Sequence, residues 1–200
     1  PTIYDKNTVK LKIENQILKK YNISIRPNED FRYGLLPKPH FVIKDLLILE
    51  DNKEIGLVEN FKVYLKLNNF FSINNLETTD LIFNKADFNL NETDITFFEK
   101  LLKTPPNENN IIIKNSNIFF EDKNQDILFI NKINYSKFYY DSFNLQNILI
   151  SKNEIFNVPY KLIIKNDKFN KSINTEFESK KIRLNIKDDF SYSDKTMKKG

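Results

Sequence analysis

The residues able to do chemistry are few and scattered. The chain has one His and no Cys. His40 lies between Pro39 and Phe41, with no Asp-x-His or His-x-x-His companion. A metal needs several converging donors and a general base needs an orienting partner, so His40 reads as a strand-start residue. Carboxylates pair at Glu29-Asp30, Glu121-Asp122 and Asp188-Asp189, each in a turn-like setting with Lys or Asn nearby. Solvated loop charge explains such pairs better than an acid/base couple. Ser24 and Ser136 lack a Gly-x-Ser-x-Gly setting, and three Gly leave nothing for a phosphate loop. Without Cys there is no disulfide framework, thiolate site or Cys nucleophile. The expectation is a protein without catalytic residues, metal or cofactor.

Composition bounds the remaining classes. Two hundred residues, 40% hydrophobic and 29% charged, suit one ordinary domain with a real core. There are 29 Asn, 28 Lys and 26 Ile but a single Ala. That skew follows AT-rich codons, so an AT-rich bacterial or protist genome is the expected source. It also discounts Asn and Lys as signals: the four Asn-x-Ser/Thr sites starting at Asn22, Asn91, Asn134 and Asn170 carry no weight. Net charge is +4, but basic and acidic residues are interspersed and Arg occurs only at 26, 32 and 183. Nucleic-acid binders concentrate cations on one face, so none is expected as a partner. An RNA-stacking sheet needs aromatics on the Lys-bearing face; Tyr64 meets that condition and Phe61 does not. No run of 18 apolar residues is present. The start at Pro1 and the polar stretch from Asp188 to Gly200 are what a piece of a longer chain would show.

Period-four spacing of Val9, Ile13 and Ile17, extended by Leu18 and Tyr21, predicts a helix over about 7–21, capped by Asn7 or Thr8. Ile95, Phe98, Leu101 and Leu102 predict a second helix over about 94–103, capped by Thr93 or Asp94 and stopped by Thr104-Pro105-Pro106. The rest alternates with period two. Strands are expected around Ile23/Ile25, Phe31/Tyr33, Phe41/Ile43 and Leu46 to Leu49, and then Phe61 to Leu67, which Asn68 to Ser72 breaks. Further short strands follow at Leu81–Phe83, Ala86–Leu90, Ile111–Ile113, Ile118–Phe120, Ile127–Ile130 and Phe138–Tyr140. The last are expected at Phe143–Ile150, Pro159–Ile164, Ser172–Phe177 and Ile182–Ile186. Asp51-Asn52, Asp122-Lys123-Asn124 and Lys152-Asn153-Glu154 read as turns. The connections look too short for parallel crossovers, which predicts an antiparallel sheet. Runs such as Ile111-Ile112-Ile113, Ile148-Leu149-Ile150 and Leu162-Ile163-Ile164 ask for burial on both faces, although only two helices are available as cover.

The order of these features carries a resemblance. A helix over 7–21 leads into the Ile23/Ile25 strand. Then comes Phe31-Arg32-Tyr33-Gly34-Leu35-Leu36-Pro37-Lys38-Pro39-His40-Phe41-Val42-Ile43-Lys44-Asp45-Leu46-Leu47-Ile48. Phe61-Lys62-Val63-Tyr64-Leu65-Lys66-Leu67 and Asn68-Asn69-Phe70-Phe71-Ser72-Ile73 follow. This pattern resembles the N-terminal region of the AsmA family of bacterial envelope proteins. It covers about the first hundred residues; Ile118 to Asp122 and Ile127 to Ile130 resemble that family's hairpins more loosely. The resemblance departs in its low Gly content and in having no transmembrane segment within the chain.

The resemblance implies a periplasmic module anchored to the inner membrane upstream of Pro1. It is related to bridge-like lipid transfer proteins and concerned with outer-membrane biogenesis and phospholipid movement. The resulting expectation is one domain over 1–200, cut at both ends. It would be a mainly β, curved antiparallel meander forming a groove or half-barrel, with an N-terminal helix and one short inserted helix. Phe61, Val63, Leu65, Leu67, Ile111 and Ile113 are the candidate groove lining for phospholipid acyl chains. Each methylene buried there is worth about 0.8 kcal/mol. A closed core explains the same six residues equally well. A scaffolding β domain with protein partners and an oligonucleotide-binding β domain are the competing functions.

Overall fold

A computed structural model describes residues 5–28, 31–66, 77–91, 96–103 and 109–191. Outside them lie Glu29-Asp30, Leu67, the Asn68 to Ser72 break, the caps at Thr93 or Asp94, Ile95, the Thr104-Pro105-Pro106 stop and the stretch after Ser191. Asp5, two residues before the expected cap, accepts from the Thr8 amide at 2.9 Å and starts α1 (Lys6–Tyr21). Val9, Ile13, Ile17 and Tyr21 are buried at spacings of four, whereas Leu18 turns outward. Asn22, at φ 55°, closes the helix in the left-handed region.

The strands are β1 (Ser24–Arg26), β2 (Phe31–Gly34), β3 (His40–Glu50), β4 (Lys53–Leu65) and β5 (Thr78–Leu90). After α2 (Thr96–Lys103) come β6 (Ile111–Glu121), β7 (Ile127–Asp141), β8 (Gln146–Ile155), β9 (Val158–Asp167), β10 (Ser172–Ser179) and β11 (Leu184–Ser191). They form one open 11-stranded sheet in the order β1-β3-β4-β5-β6-β7-β8-β9-β10-β11, with β2 also on β3. The expected mainly β, mostly antiparallel sheet with two helices is present. One pair corrects the all-antiparallel reading: β5 and β6 are parallel, and α2 forms the crossover. Lys152-Asn153-Glu154 lies inside β8, and the turn falls at Phe156-Asn157, both with positive φ.

Four expected short strands are two long ones. β5 joins Leu81–Phe83 to Ala86–Leu90, and β6 joins Ile111–Ile113 to Ile118–Phe120. The break between the halves is a one-residue phase slip. Inward residues in β5 are Leu81 and Phe83, then Ala86, Phe88 and Leu90; in β6, Ile111 and Ile113, then Ser116 and Ile118. Lys85 and Asn115 supply the extra residue at φ 57° and 51°, and Asp45 does the same in β3 at 53°. The register aligns Asp45, Glu59, Lys85, Asn115 and Asn134 across β3 to β7. All five are exposed, and Lys85 Nζ meets Glu59 Oε1 at 3.0 Å. Extra residues stacked in neighbouring strands bend the sheet along one line while keeping its apolar face on one side.

A bend interrupts the ladder, and the freed groups need partners. The Ala86 amide donates to Ser116 Oγ at 2.9 Å, and that hydroxyl donates to the Lys114 carbonyl at 2.8 Å. The core lies inside the bend. Ile43, Phe61, Phe83 and Phe88 have essentially no exposed surface, and the rings of Phe61 and Phe83 pack 4.8 Å apart.

The runs that looked apolar on both faces need no second layer. Along the outer face the register reads Val42, Lys62, Ile82, Ile112, Lys137, Ile150, Ile163, Glu176, Lys187. The second-face isoleucines are half-buried in a row that includes Lys62 and Lys137, whose alkyl stems can cover such neighbours while the ammonium groups stay wet.

Ser116→Ala is expected to lower stability by about 1–3 kcal/mol in urea unfolding, because the buried Ala86 amide loses its acceptor. Asn115→Gly should leave stability unchanged or raise it by up to about 1 kcal/mol, since glycine accepts the left-handed corner without cost. Equal losses from both changes would rule out the corner as described.

Candidate functional site

The register that builds the sheet also draws the floor of a site. One inner-face row runs Ile43, Phe61, Phe83, Ile113, Ser136, Ser151, Leu162, Phe177, Ile186. Its neighbour runs Phe41, Val63, Leu81, Ile111, Phe138, Leu149, Ile164, Thr175, Asp188. Directly opposed residues share a face, so both rows look the same way from β3 to β11.

Five of the six candidate lining residues therefore stand together. Phe61 and Ile113 sit in the first row, Val63 and Ile111 in the second, and Leu65 follows at the end of β4. Leu67 lies outside the described residues. All five are buried, none more than 5% exposed. Here the floor already has its cover. Tyr21 of α1 donates its hydroxyl to the Thr79 carbonyl, and Gln16 Oε1 accepts from the Thr78 amide at 2.8 Å. The α2 rings Phe97 and Phe98 pack 5.8 and 5.4 Å from the Phe88 ring.

Toward β11 the cover ends. In the first row exposure climbs from 0% at Phe61 through 3% at Ser136 and 4% at Ser151 to 50% at Ile186. Leu184 and Phe190, also inward on β11, are exposed, and Leu162 and Ile164 are half-buried. Sequence reasoning placed the lining on β4 and β6; the accessible floor lies on β9 to β11. The signal that could have found it is the alternation Leu184, Ile186, Phe190 opposite Ile173 and Phe177.

Polar groups punctuate this floor, and their partners are internal. Ser136 and Ser151 hydrogen-bond each other, and Ser151 Oγ donates to Asn153 Oδ1 at 2.7 Å. Tyr160 Oη donates to Asn131 Oδ1 at 2.9 Å, and burial pushes that phenol's pKa up. Tyr160 stacks on Phe177 at 4.9 Å. Asn147 and Asn166 each donate Nδ2 to the Leu102 carbonyl, at 3.0 and 3.2 Å, holding the C-terminal turn of α2 above the floor. Lys100 pairs with Glu50 from the opposite end of the helix's path.

Beside this helix end a recess of about 320 Å³ opens, lined by Tyr140, Leu145, Asn147, Asn166, Lys168 and Phe169. It forms a mouth where the inner face meets two hairpins. Asp141-Ser142-Phe143-Asn144-Leu145 and Asp167-Lys168-Phe169-Asn170-Lys171 share one pattern and one fold. Asp141 Oδ1 accepts from the Phe143 amide at 2.9 Å, and Asp167 Oδ1 from the Asn170 amide at 2.8 Å. Each Asn returns its Nδ2 to the same Asp, at 2.8 and 2.9 Å. Leu145 and Lys171 close the loops at φ 57° and 51°. These hydrogen bonds hold both carboxyls below the usual carboxylate range; burial pushes Lys168 down.

His40 contributes packing. Its Nδ1 donates to the Lys38 carbonyl at 2.8 Å, its ring lies 5.5 Å from Tyr64, and it faces Gly34, where a Cβ would come within 2.6 Å of the imidazole. The Tyr64 ring is also met by Lys62 Nζ at 5.9 Å. Asp122 is occupied by its own turn, accepting from the Asn124 and Asp126 amides. Among the described residues no cluster of three His, Cys, Asp or Glu could hold a metal, and no helix is long and apolar enough to cross a membrane. Neither a scan against protein-family models nor a search of curated proteins finds a match to this chain.

Because both loop carboxyls titrate below their ordinary value of 3.8, the order they impose is complete above the unfolded pKa and disappears as pH falls through the folded one. The amide resonances of Phe143 and Asn170 should hold steady from about pH 5 to 8 and move only in stronger acid. Midpoints at or above the ordinary carboxylate value would contradict the loop geometry.

Proposed function

We propose that this chain is a non-enzymatic lipid-handling module whose apolar sheet face shields phospholipid acyl chains from water. The observation that carries the reading is the exposure gradient along one mainly apolar face, whose rows also include Ser136, Ser151, Thr175 and Asp188. The same rows that form a sealed core under α1 and α2 run on, uncovered, to β11. An apolar strip along neighbouring strands suits an extended hydrocarbon better than a compact polar substrate, and holding it needs burial rather than reacting groups. The mouth beside α2 supplies Lys168 and two amides where a headgroup would stay wet. In this reading the residues first expected to line the groove, Phe61, Val63, Leu65, Ile111 and Ile113, form the sealed base on which the open floor is built.

The AsmA-like order of the first hundred residues supports a bacterial envelope setting. The module would then work in the periplasm, held to the inner membrane by a segment upstream of Pro1, and would pass phospholipid toward the outer membrane. A scaffolding role is the second reading, and β11 favours it. Among the described residues that strand lies at one edge of the sheet, and such an edge can accept a strand from a protein partner.

Gentle purification followed by organic extraction and mass spectrometry should recover phospholipid bound to the chain. Ile186→Glu and Phe190→Glu together should reduce the recovered lipid about tenfold, the effect of spoiling one well-buried apolar contact. Both positions are about half exposed, so the melting temperature should change little. No lipid in the unmodified protein, or equal lipid in the variant, would favour the scaffold.

A further inference from the structure

The twin hairpins carry a feature that acyl-chain shielding does not use. Each lifts one phenylalanine into solvent: Phe143 is 91% exposed and Phe169 is 85% exposed. The hairpins stand level, because Asp141, Gln146, Asp167 and Ser172 are register partners across β7 to β10. Two hairpins on four successive strands are about 10 Å apart. We propose that these two loops form a membrane-docking edge, inserting Phe143 and Phe169 into the interface of a phospholipid bilayer.

Three observations select a bilayer as the occupant. The first is the state of the loop backbone. A tip that enters a lipid interface must not bring unsatisfied amides with it. In both loops the Asp carboxylate and the returning Asn amide satisfy the turn internally. The amides of Phe143, Asn144 and Asn170 therefore need no outside partner. The second is charge. Lys168 and Lys171 flank Phe169, while the Asp141 and Asp167 carboxylates are engaged by the amides and Asn side chains of their own loops, so the Phe169 tip sets a ring beside ammonium groups as hydrocarbon lies beneath phosphodiesters. The third is spacing. The two rings stand on separate hairpins about 10 Å apart, and Phe169 and Leu145 line the recess between them. A fluid acceptor closes around each ring separately. Leu36, 85% exposed in the β2–β3 loop, leaves the same end of the strands. At the opposite end Phe156 lies within 6.4 Å of the Phe129 ring, part of an aromatic row and not a lone spike.

Docking in this way would set the recess and the uncovered floor against the bilayer, giving a lipid a short path onto the sheet. Only that path rests on the acyl-shielding reading; membrane binding stands without it.

The test uses the full chain with phosphatidylcholine vesicles, with and without phosphatidylglycerol. The unmodified protein should co-float with vesicles, more strongly when the anionic lipid is present. Phe143→Ser with Phe169→Ser should weaken binding about tenfold or more, while Phe156→Ser should not. The chain has no Trp, so Phe143→Trp and Phe169→Trp place a single reporter at each tip. Their emission should shift to the blue on vesicles and be quenched by brominated acyl chains. Unshifted emission at saturating lipid, absence of co-flotation, or an equal loss from Phe156→Ser would overturn the proposal. Vesicle binding that persists in a protein from which no bound lipid can be extracted would remove acyl shielding and leave the docking edge.

Discussion

Everything in this molecule depends on keeping one face of a long sheet apolar through a bend. A strand alternates its side chains strictly, so any kink that consumes one residue throws the rest of the strand onto the wrong face. Here the slip is taken at the same level by five neighbouring strands, at Asp45, Glu59, Lys85, Asn115 and Asn134. Each contributes two consecutive outward residues, and the inward series then resumes. Because the slips are aligned, β3 to β7 keep register through the bend; the line ends at Asn134, which bulges against β8 between Ile133 and Tyr135. The residual cost is local: three residues held in the left-handed region and a ladder gap at Ala86 that Ser116 fills. In return the sheet can wrap α1 and α2 while its apolar rows stay continuous.

The bend divides the molecule by what covers it. Over β3 to β6 the concave face meets both helices and becomes a dry core of Phe, Ile, Val and Leu. The α2 helix marks the limit. It is tied to β3 through Lys100 and Glu50, and its last turn is received by Asn147 and Asn166 from β8 and β9. Amides at those two inward positions, one step along from Leu149 and Ile164, stop the dry core and satisfy the helix end. Beyond them the floor is mainly apolar again, and among the described residues Ile186 and Phe190 stay about half exposed, which forgoes hydrophobic stabilisation there.

Much of this was legible in the chain. Period two, the two helices and the strand order follow from alternation and from residues such as Val9, Ile13 and Ile17. The bend was legible in principle, in the repeated apolar-polar-polar-apolar steps Ile43 to Leu46, Val58 to Phe61 and Phe83 to Ala86, whose counterpart in β6 ends on the small polar Ser116. Taken one strand at a time, such a step looks like the end of an element, which is why β5 and β6 each read as two strands. Only register shows the steps to be collinear. The parallel β5–β6 pair was hidden for a related reason: a helix of eight described residues looks too short for a crossover until the adjoining segments are counted with it. The location of the site was less legible, because alternation identifies an inward face but cannot say how far along the sheet its cover extends.

The same distinction between pattern and cover bears on the polar groups of the inner face. The polar groups on the inner face answer one another: Ser136 with Ser151, Ser151 with Asn153, Tyr160 with Asn131. A group that is fully partnered has little left with which to direct a substrate, and none of these is set beside a second group of shifted acidity as an acid/base pair would be. They work as spacers that let a β-sheet stay flush and hydrogen-bonded where small side chains must replace large ones. Under the lipid-shielding proposal, an apolar floor interrupted by self-satisfied polar groups would bind through area and shape, and its selectivity would come from the rim formed by Lys168 and the two Asp-x-Phe-Asn hairpins.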